Sequence, residues 1–163
     1  MNSRFAGLFC VSIFVLISAI STVKTFAATT PKRILFFSKS SGFEHSVIKK
    51  PSDESSHAEK ILKDIGAKNN IEFTFTKDGR VFTAQNLVKY DAFFFYTTGD
   101  LTEAGKDGNP PMTPEGKAAF LEAIKNGKGF IGAHSATDTF HSPGNKDHGE
   151  ARYQPDGDNA DPY

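Results

Sequence analysis

Hydrophobic and polar positions fall into two alternating rhythms. Residues 33–38 (R-I-L-F-F-S) form a short apolar run between Pro31 and a Ser/Gly loop, the pattern of a fully buried strand. Residues 52–68 carry Ala58, Ile61, Leu62 and Ile65 at helical spacing. Ser52 is read as the N-cap, with Asp53 and Glu54 opposing the dipole in the first turn, and Gly66 as the stop. Residues 71–77 (I-E-F-T-F-T-K) alternate apolar with polar, which predicts an edge strand with one wet face. A short helix is expected over residues 83–89, followed by an apolar, central strand over 92–96 (A-F-F-F-Y). The clearest helix is 113–126: Thr113 caps it, Pro114 fits its first position, and Ala119, Phe120, Ala123 and Ile124 form its stripe before Gly127. Residues 129–133 (G-F-I-G-A) read as a fourth strand.

Strands alternating with helices on short connectors predict an α/β fold with a parallel sheet covered on both faces. Right-handed crossovers allow the order 2-1-3-4, a doubly wound, flavodoxin-like arrangement with its switch point between the first and third strands. Residues 31–141 are read as this domain. Residues 142–163 break the pattern, with no Leu, Ile, Val, Phe or Met but three prolines and three glycines. Doubly wound domains usually have five or more strands, so the chain is expected to be incomplete at its C-terminus, 142–163 being a polar loop. A disordered tail is the alternative.

Residues 1–27 have the layout of a secretory signal peptide. Arg4 supplies the positive region, 5–20 the apolar run, and Thr25-Phe26-Ala27 the cleavage context. The run is shorter than the roughly 20 residues that span a bilayer, so a secreted or periplasmic protein without a stable membrane anchor is expected. Cys10, the sole cysteine, would leave with the signal. The chain has 19 basic and 19 acidic residues. Losing Arg4 and Lys24 would bring the net charge near −2, with no basic field to attract nucleic acid.

Candidate chemistry gathers where the strands end. On the predicted topology three carboxyl-end loops face one crevice: 38–46 (S-K-S-S-G-F-E-H-S), 97–100 (T-T-G-D) and 134–138 (H-S-A-T-D). The opposite connectors, 67–70 and 126–128, are bland. His134, His45 and Asp138 are the candidate catalytic groups. His134 is a general base, a metal ligand, a hydrogen-bond partner or a structural tie, and His45 has similar alternatives. Asp138 either orients His134 or closes an Asx turn. Ser41, Gly42, Thr98, Gly99, Asp100, Ser135 and Thr137 are the candidate substrate-binding set, with Glu44 and Phe43 beside them. Hydroxyls, carboxylates and imidazoles next to an aromatic ring suit a small-molecule carbohydrate, and also other polar ligands. Ser135 is a poor nucleophile candidate, since G-A-H-S-A lacks the second glycine of the serine-hydrolase elbow. No cofactor is required by the pattern. A divalent metal on His134, Asp138 and His141, near Asp147 and His148, is an open alternative, although these spacings match no compact zinc signature. Asp156, Asp158 and Asp161 lack the glycine and distal glutamate of a calcium loop. His57 is read as a surface residue.

The segments R-I-L-F-F-S-K-S-S-G-F-E-H-S from Arg33, Val81-Phe82-Thr83 to Tyr90-Asp91-Ala92, T-T-G-D from Thr97 and G-F-I-G-A-H-S-A-T-D-T from Gly129 together resemble ThuA-like (trehalose-utilisation) domains, in order over about 33–140. The resemblance implies the class I glutamine amidotransferase-like fold without its cysteine-centred triad. His134 stands where those enzymes carry the nucleophilic cysteine on a tight strand-to-helix turn, so glutamine hydrolysis is not expected. The family further implies a link to disaccharide or keto-sugar metabolism, its exported members often being labelled glycosyl hydrolases. Such domains normally continue with further strands and a second set of His and acidic residues. A hydrolase is one expectation; a non-catalytic sugar-binding domain that keeps the crevice is the other.

Overall fold

A computed structural model describes residues 30–140, apart from Asp53 and Lys106. The signal-like residues 1–27, His141 and the polar stretch 142–163 lie outside the described residues. Four strands, β1 (Lys32–Phe37), β2 (Ile71–Thr76), β3 (Ala92–Phe95) and β4 (Gly129–Gly132), form one sheet in the order β2-β1-β3-β4. Every pairing is parallel, with Ile34 opposite both Phe73 and Ala92, and Phe94 opposite Ile131. The predicted order is the observed one, with β2 at an edge. Parallel neighbours require crossovers, here supplied by α1 (His57–Asn69), α2 (Ala84–Leu87) and α3 (Pro114–Lys125).

Side chains alternate across each strand, so the sheet has two apolar faces. Leu35, Phe37, Phe93 and Phe95 point to one face and pack with Phe82, Leu87, Met112 and Phe120. Phe120 stacks on Phe95 at 4.8 Å and meets Phe82 edge-on at 5.7 Å. These are the offset and T-shaped geometries that ring quadrupoles favour. The other face holds Phe36 with Ile48 and Leu62, flanked by Phe73, Phe75, Phe94 and Tyr96.

Three local expectations are corrected. Ser52 does not cap α1: it has a left-handed φ of 53° and lies outside the helix. The cap is Ser56, whose Oγ accepts from the Glu59 N–H while Glu59 Oε2 accepts from the Ser56 N–H, both at 3.2 Å. This reciprocal capping box satisfies two otherwise orphan donors, which is why the helix starts there. Gly66 does not stop α1, which runs on to a left-handed C-cap at Asn70 (φ 53°). A Cβ at Gly66 would lie 2.6 Å from the Ile71 carbonyl oxygen, so this glycine lets helix and strand approach. The helix is rotated to match: Leu62 and Gly66 are buried, whereas Ile61 and Ile65 are exposed.

The last correction concerns cover. Phe93 and Phe95 are buried, but the opposite face of β3 is only half-buried at Ala92, Phe94 and Tyr96. All of β4 is exposed, Phe130 and Ile131 included. Among the described residues α1 covers the β1–β2 half of its face, and nothing comparable lies over β3 and β4.

Candidate functional site

A parallel sheet sends all its strands out at one edge, so the loops that follow β1, β3 and β4 must meet there. The middle loop is the hub. Ser40 and Thr98 bridge in parallel fashion, and the Ser41 N–H donates to the Thr98 carbonyl at 2.9 Å. Thr98 Oγ1 donates to the Phe43 carbonyl at 2.8 Å. On the other side the Gly99 N–H donates to the Asp138 carbonyl at 2.6 Å, and the Phe140 N–H to the Gly99 carbonyl at 3.3 Å. Thr97 and Thr139 join their hydroxyls at 2.7 Å. Gly99 is required at its position twice over. Its φ is +72°, and a Cβ would stand 3.0 Å from the Gly42 nitrogen.

A buried ion pair fixes the first loop from below. Lys39 is fully buried, with its Nζ 3.5 Å from Asp107 Oδ1 and donating to the Asn109 carbonyl at 2.8 Å. Asp107 Oδ2 in turn accepts from the Ser40 N–H at 3.1 Å. The long connector from β3 to α3 is thereby tied to the end of β1. Nearer the opening, Lys77 and Glu44 form a second ion pair.

The loops enclose a crevice of about 590 Å³ lined by Gly42, Phe43, Glu44, His45, Lys49, Thr98, Gly99, Ser135 and Asp138. The Oγ atoms of Ser41 and Ser135 are buried with no protein hydrogen-bond partner. His134 follows β4 after Ala133, at the start of a 3-10 turn (His134–Asp138), with a left-handed φ of 51°. A non-glycine residue held there is strained, and such strain persists where the surroundings dictate it. The turn brings the His134 ring against His45, the centroids 4.4 Å apart. Tyr96 lies 5.9 Å from His45 and 5.6 Å from His134, and Phe43 meets His45 edge-on at 4.9 Å.

The structure thus brings together the predicted residues His45, His134, Gly42, Thr98, Gly99, Ser135 and Asp138, with Ser41 alongside. Asp100 is engaged elsewhere: its Oδ1 accepts from the N–H and hydroxyl of Thr102, at 2.9 and 2.7 Å. Thr137 is exposed and does not line the crevice. His57, at the first position of α1, is exposed as expected. His141, Asp147 and His148 lie outside the described residues. Among the described residues no three His, Cys, Asp or Glu side chains converge, and no helix is long and apolar enough to cross a membrane. Sequence reasoning missed Tyr96, Lys49 and the Lys39–Asp107 pair. Tyr96 had a signal, because it directly precedes T-T-G-D at the carboxyl end of β3.

With this geometry in view, comparison with known proteins is informative at the level of the family. No curated protein and no solved structure shows significant similarity to the chain. The family model for ThuA, described as trehalose utilisation, matches residues 33–150, a span that includes all three loops of the crevice and all four strands but for Lys32 at the start of β1. The chain belongs to the ThuA trehalose-utilisation family.

Proposed function

We propose that this chain is an exported ThuA domain that takes a small carbohydrate, a disaccharide or keto-sugar, into the crevice at the carboxyl edge of its sheet and hydrolyses it. The observation that carries the reading is the contact between His134 and the crevice-lining His45, their rings 4.4 Å apart. Two imidazoles on one substrate can divide the work of general acid–base catalysis. One takes a proton from the attacking water while the other donates a proton to the leaving oxygen. Phe43, 71% exposed, offers a flat apolar surface to a sugar face. Ser135 and Asp138 on the crevice wall supply polar partners for sugar hydroxyls. Export rests on the charge and hydropathy pattern of residues 1–27. An amino terminus at or near Ala28 in the mature protein, found by mass spectrometry, would support it; an exported form retaining Met1 would refute it.

The test is calorimetric binding and turnover with a panel of disaccharides and keto-sugars. His134→Ala is expected to keep the fold and to lose turnover by at least about a hundredfold. His57→Ala, on the exposed start of α1, is expected to change neither. Binding without turnover would make the domain a sugar-recognition module, and absence of both would remove carbohydrate from consideration.

A further inference from the structure

The three rings of His45, His134 and Tyr96 form a closed triangle, with centroid separations of 4.4, 5.6 and 5.9 Å. We propose that this triangle is a transition-metal site, holding one divalent ion of the zinc class through an imidazole nitrogen of His45, an imidazole nitrogen of His134 and the phenol oxygen of Tyr96. The proposal rests on reading the crevice as the working site, and it reassigns the two imidazoles from direct proton transfer on the substrate to holding the ion.

The dimensions support it. A metal about 2.0–2.1 Å from an imidazole nitrogen lies roughly 3.2 Å from that ring's centroid. Two imidazoles on one tetrahedral ion therefore place their centroids on the order of 5 Å apart. The observed 4.4 Å has only to open by less than about 1 Å. A phenolate on the same ion sets its ring centroid about 6 Å from each imidazole, close to the two Tyr96 distances observed here.

The donor set suits a borderline metal, for which imidazole nitrogen is a preferred ligand, over calcium or magnesium, which take oxygen cages. Because no third His, Cys, Asp or Glu converges with the two histidines among the described residues, Tyr96 is the protein atom source that completes a three-ligand face. Three protein ligands would leave a fourth position for water or substrate beside His45 on the crevice wall, which is the arrangement of a catalytic site as opposed to a closed structural one. His45 belongs to the loop after β1, Tyr96 ends the run of β3, and His134 follows β4. The three donors therefore come from separate strand ends, held together by the backbone bonds of the Thr98 and Gly99 hub.

The experiment is titration of the full chain, stripped with chelator, first with Zn²⁺ by calorimetry and then with Cu²⁺ by absorption. One equivalent of Zn²⁺ should bind. His45→Gln and His134→Gln should each weaken it at least tenfold, since even outer-shell changes at metal sites cost about 10–100-fold. His57→Gln should not. Tyr96→Phe should abolish a phenolate-to-copper charge-transfer band that the unaltered protein shows, a readout that loss of packing alone would not select. Circular dichroism melts identify a variant that has lost its fold, and the Tyr96→Phe band then decides. Failure to bind Zn²⁺, or binding untouched by both histidine changes, overturns the proposal. Sugar binding by a protein that binds no metal would overturn this site and leave the carbohydrate reading standing. Metal binding without sugar binding would do the reverse.

Discussion

At Gly99 a single hydrogen atom in place of a methyl group lets three loops share one site. The residue is left-handed, leaves no room for a Cβ clear of the Gly42 nitrogen, and exchanges backbone bonds with the Asp138–Phe140 segment on its other side. Gly99→Ala should cost about 1–2 kcal/mol from the backbone conformation alone. It should also push the Gly42 loop outward, because the added Cβ meets backbone and not a flexible side chain. The expected result is a lower urea midpoint together with weakened ligand binding. A fully stable variant with intact binding would mean that the loops are less tightly coupled than the distances imply. The meeting of His134 and His45 at the carboxyl edge was legible because polar groups follow apolar runs at both places. Tyr96 was not, because a tyrosine closing A-F-F-F-Y reads as one more strand residue until its neighbours across the sheet are known. Lys39 was hidden for a similar reason. Its partner is Asp107, on a distant connector whose path no local pattern describes.

Elements were legible where a short-range rule decides them. The observed strand order is one that handed crossovers allow, and α3 followed from the Thr113 cap and Pro114, with the Thr113 Oγ1 accepting from the Gly116 N–H at 3.0 Å. The start of α1 was misplaced because Ser52 and Ser56 both precede acidic residues. Only Ser56 has a glutamate three positions on, the condition for reciprocal capping. Ser56→Ala should therefore destabilise the protein by about 1 kcal/mol, whereas Ser52→Ala should be nearly silent. Chemical denaturation of the two variants side by side checks this, and equal effects would put the helix start back in question. The exposure of β4 could not be read at all. An apolar run such as G-F-I-G-A looks the same whether or not another element lies over it.

On the scale of the whole molecule the two edges of the sheet do different work. The carboxyl edge carries the crevice; the opposite edge is pinned by Asp91. Its carboxylate accepts from the Arg33 N–H at 2.8 Å, its own N–H donates to the Arg33 carbonyl at 2.8 Å, and its carbonyl accepts from the Gly129 N–H at 3.0 Å. β1, β3 and β4 thus share one clasp. The Arg33 N–H, aided by the nearby Lys32 ammonium, holds the Asp91 carboxyl below its usual range against the opposing effect of desolvation. Asp78 is lowered in the same direction, chiefly by its hydrogen bonds with the Arg80 side chain. A carboxylate depressed by folding stabilises above the unfolded value near 3.8 and loses that contribution as pH falls through the lower folded value. Stability should therefore decline as pH drops below about 4. Asp91→Asn, which keeps an acceptor but removes the charge, should lower stability at neutral pH and flatten that decline. Urea midpoints measured across the acid range decide it, and parallel curves for the two proteins would count against the assignment.

The Lys39–Asp107 pair has a consequence for how this protein can be altered. Neither residue can be exchanged alone without stranding a charge in the interior, a loss of about 3–5 kcal/mol, whereas replacing both with apolar side chains of similar bulk can be nearly neutral. Anyone transplanting a different β3–α3 connector, to give the crevice a new specificity, is bound by that arithmetic. The graft must bring a carboxylate to the place of Asp107, or Lys39 must be changed in the same step. The connector most exposed to redesign is thus wired to a residue that no inspection of the crevice wall would reveal.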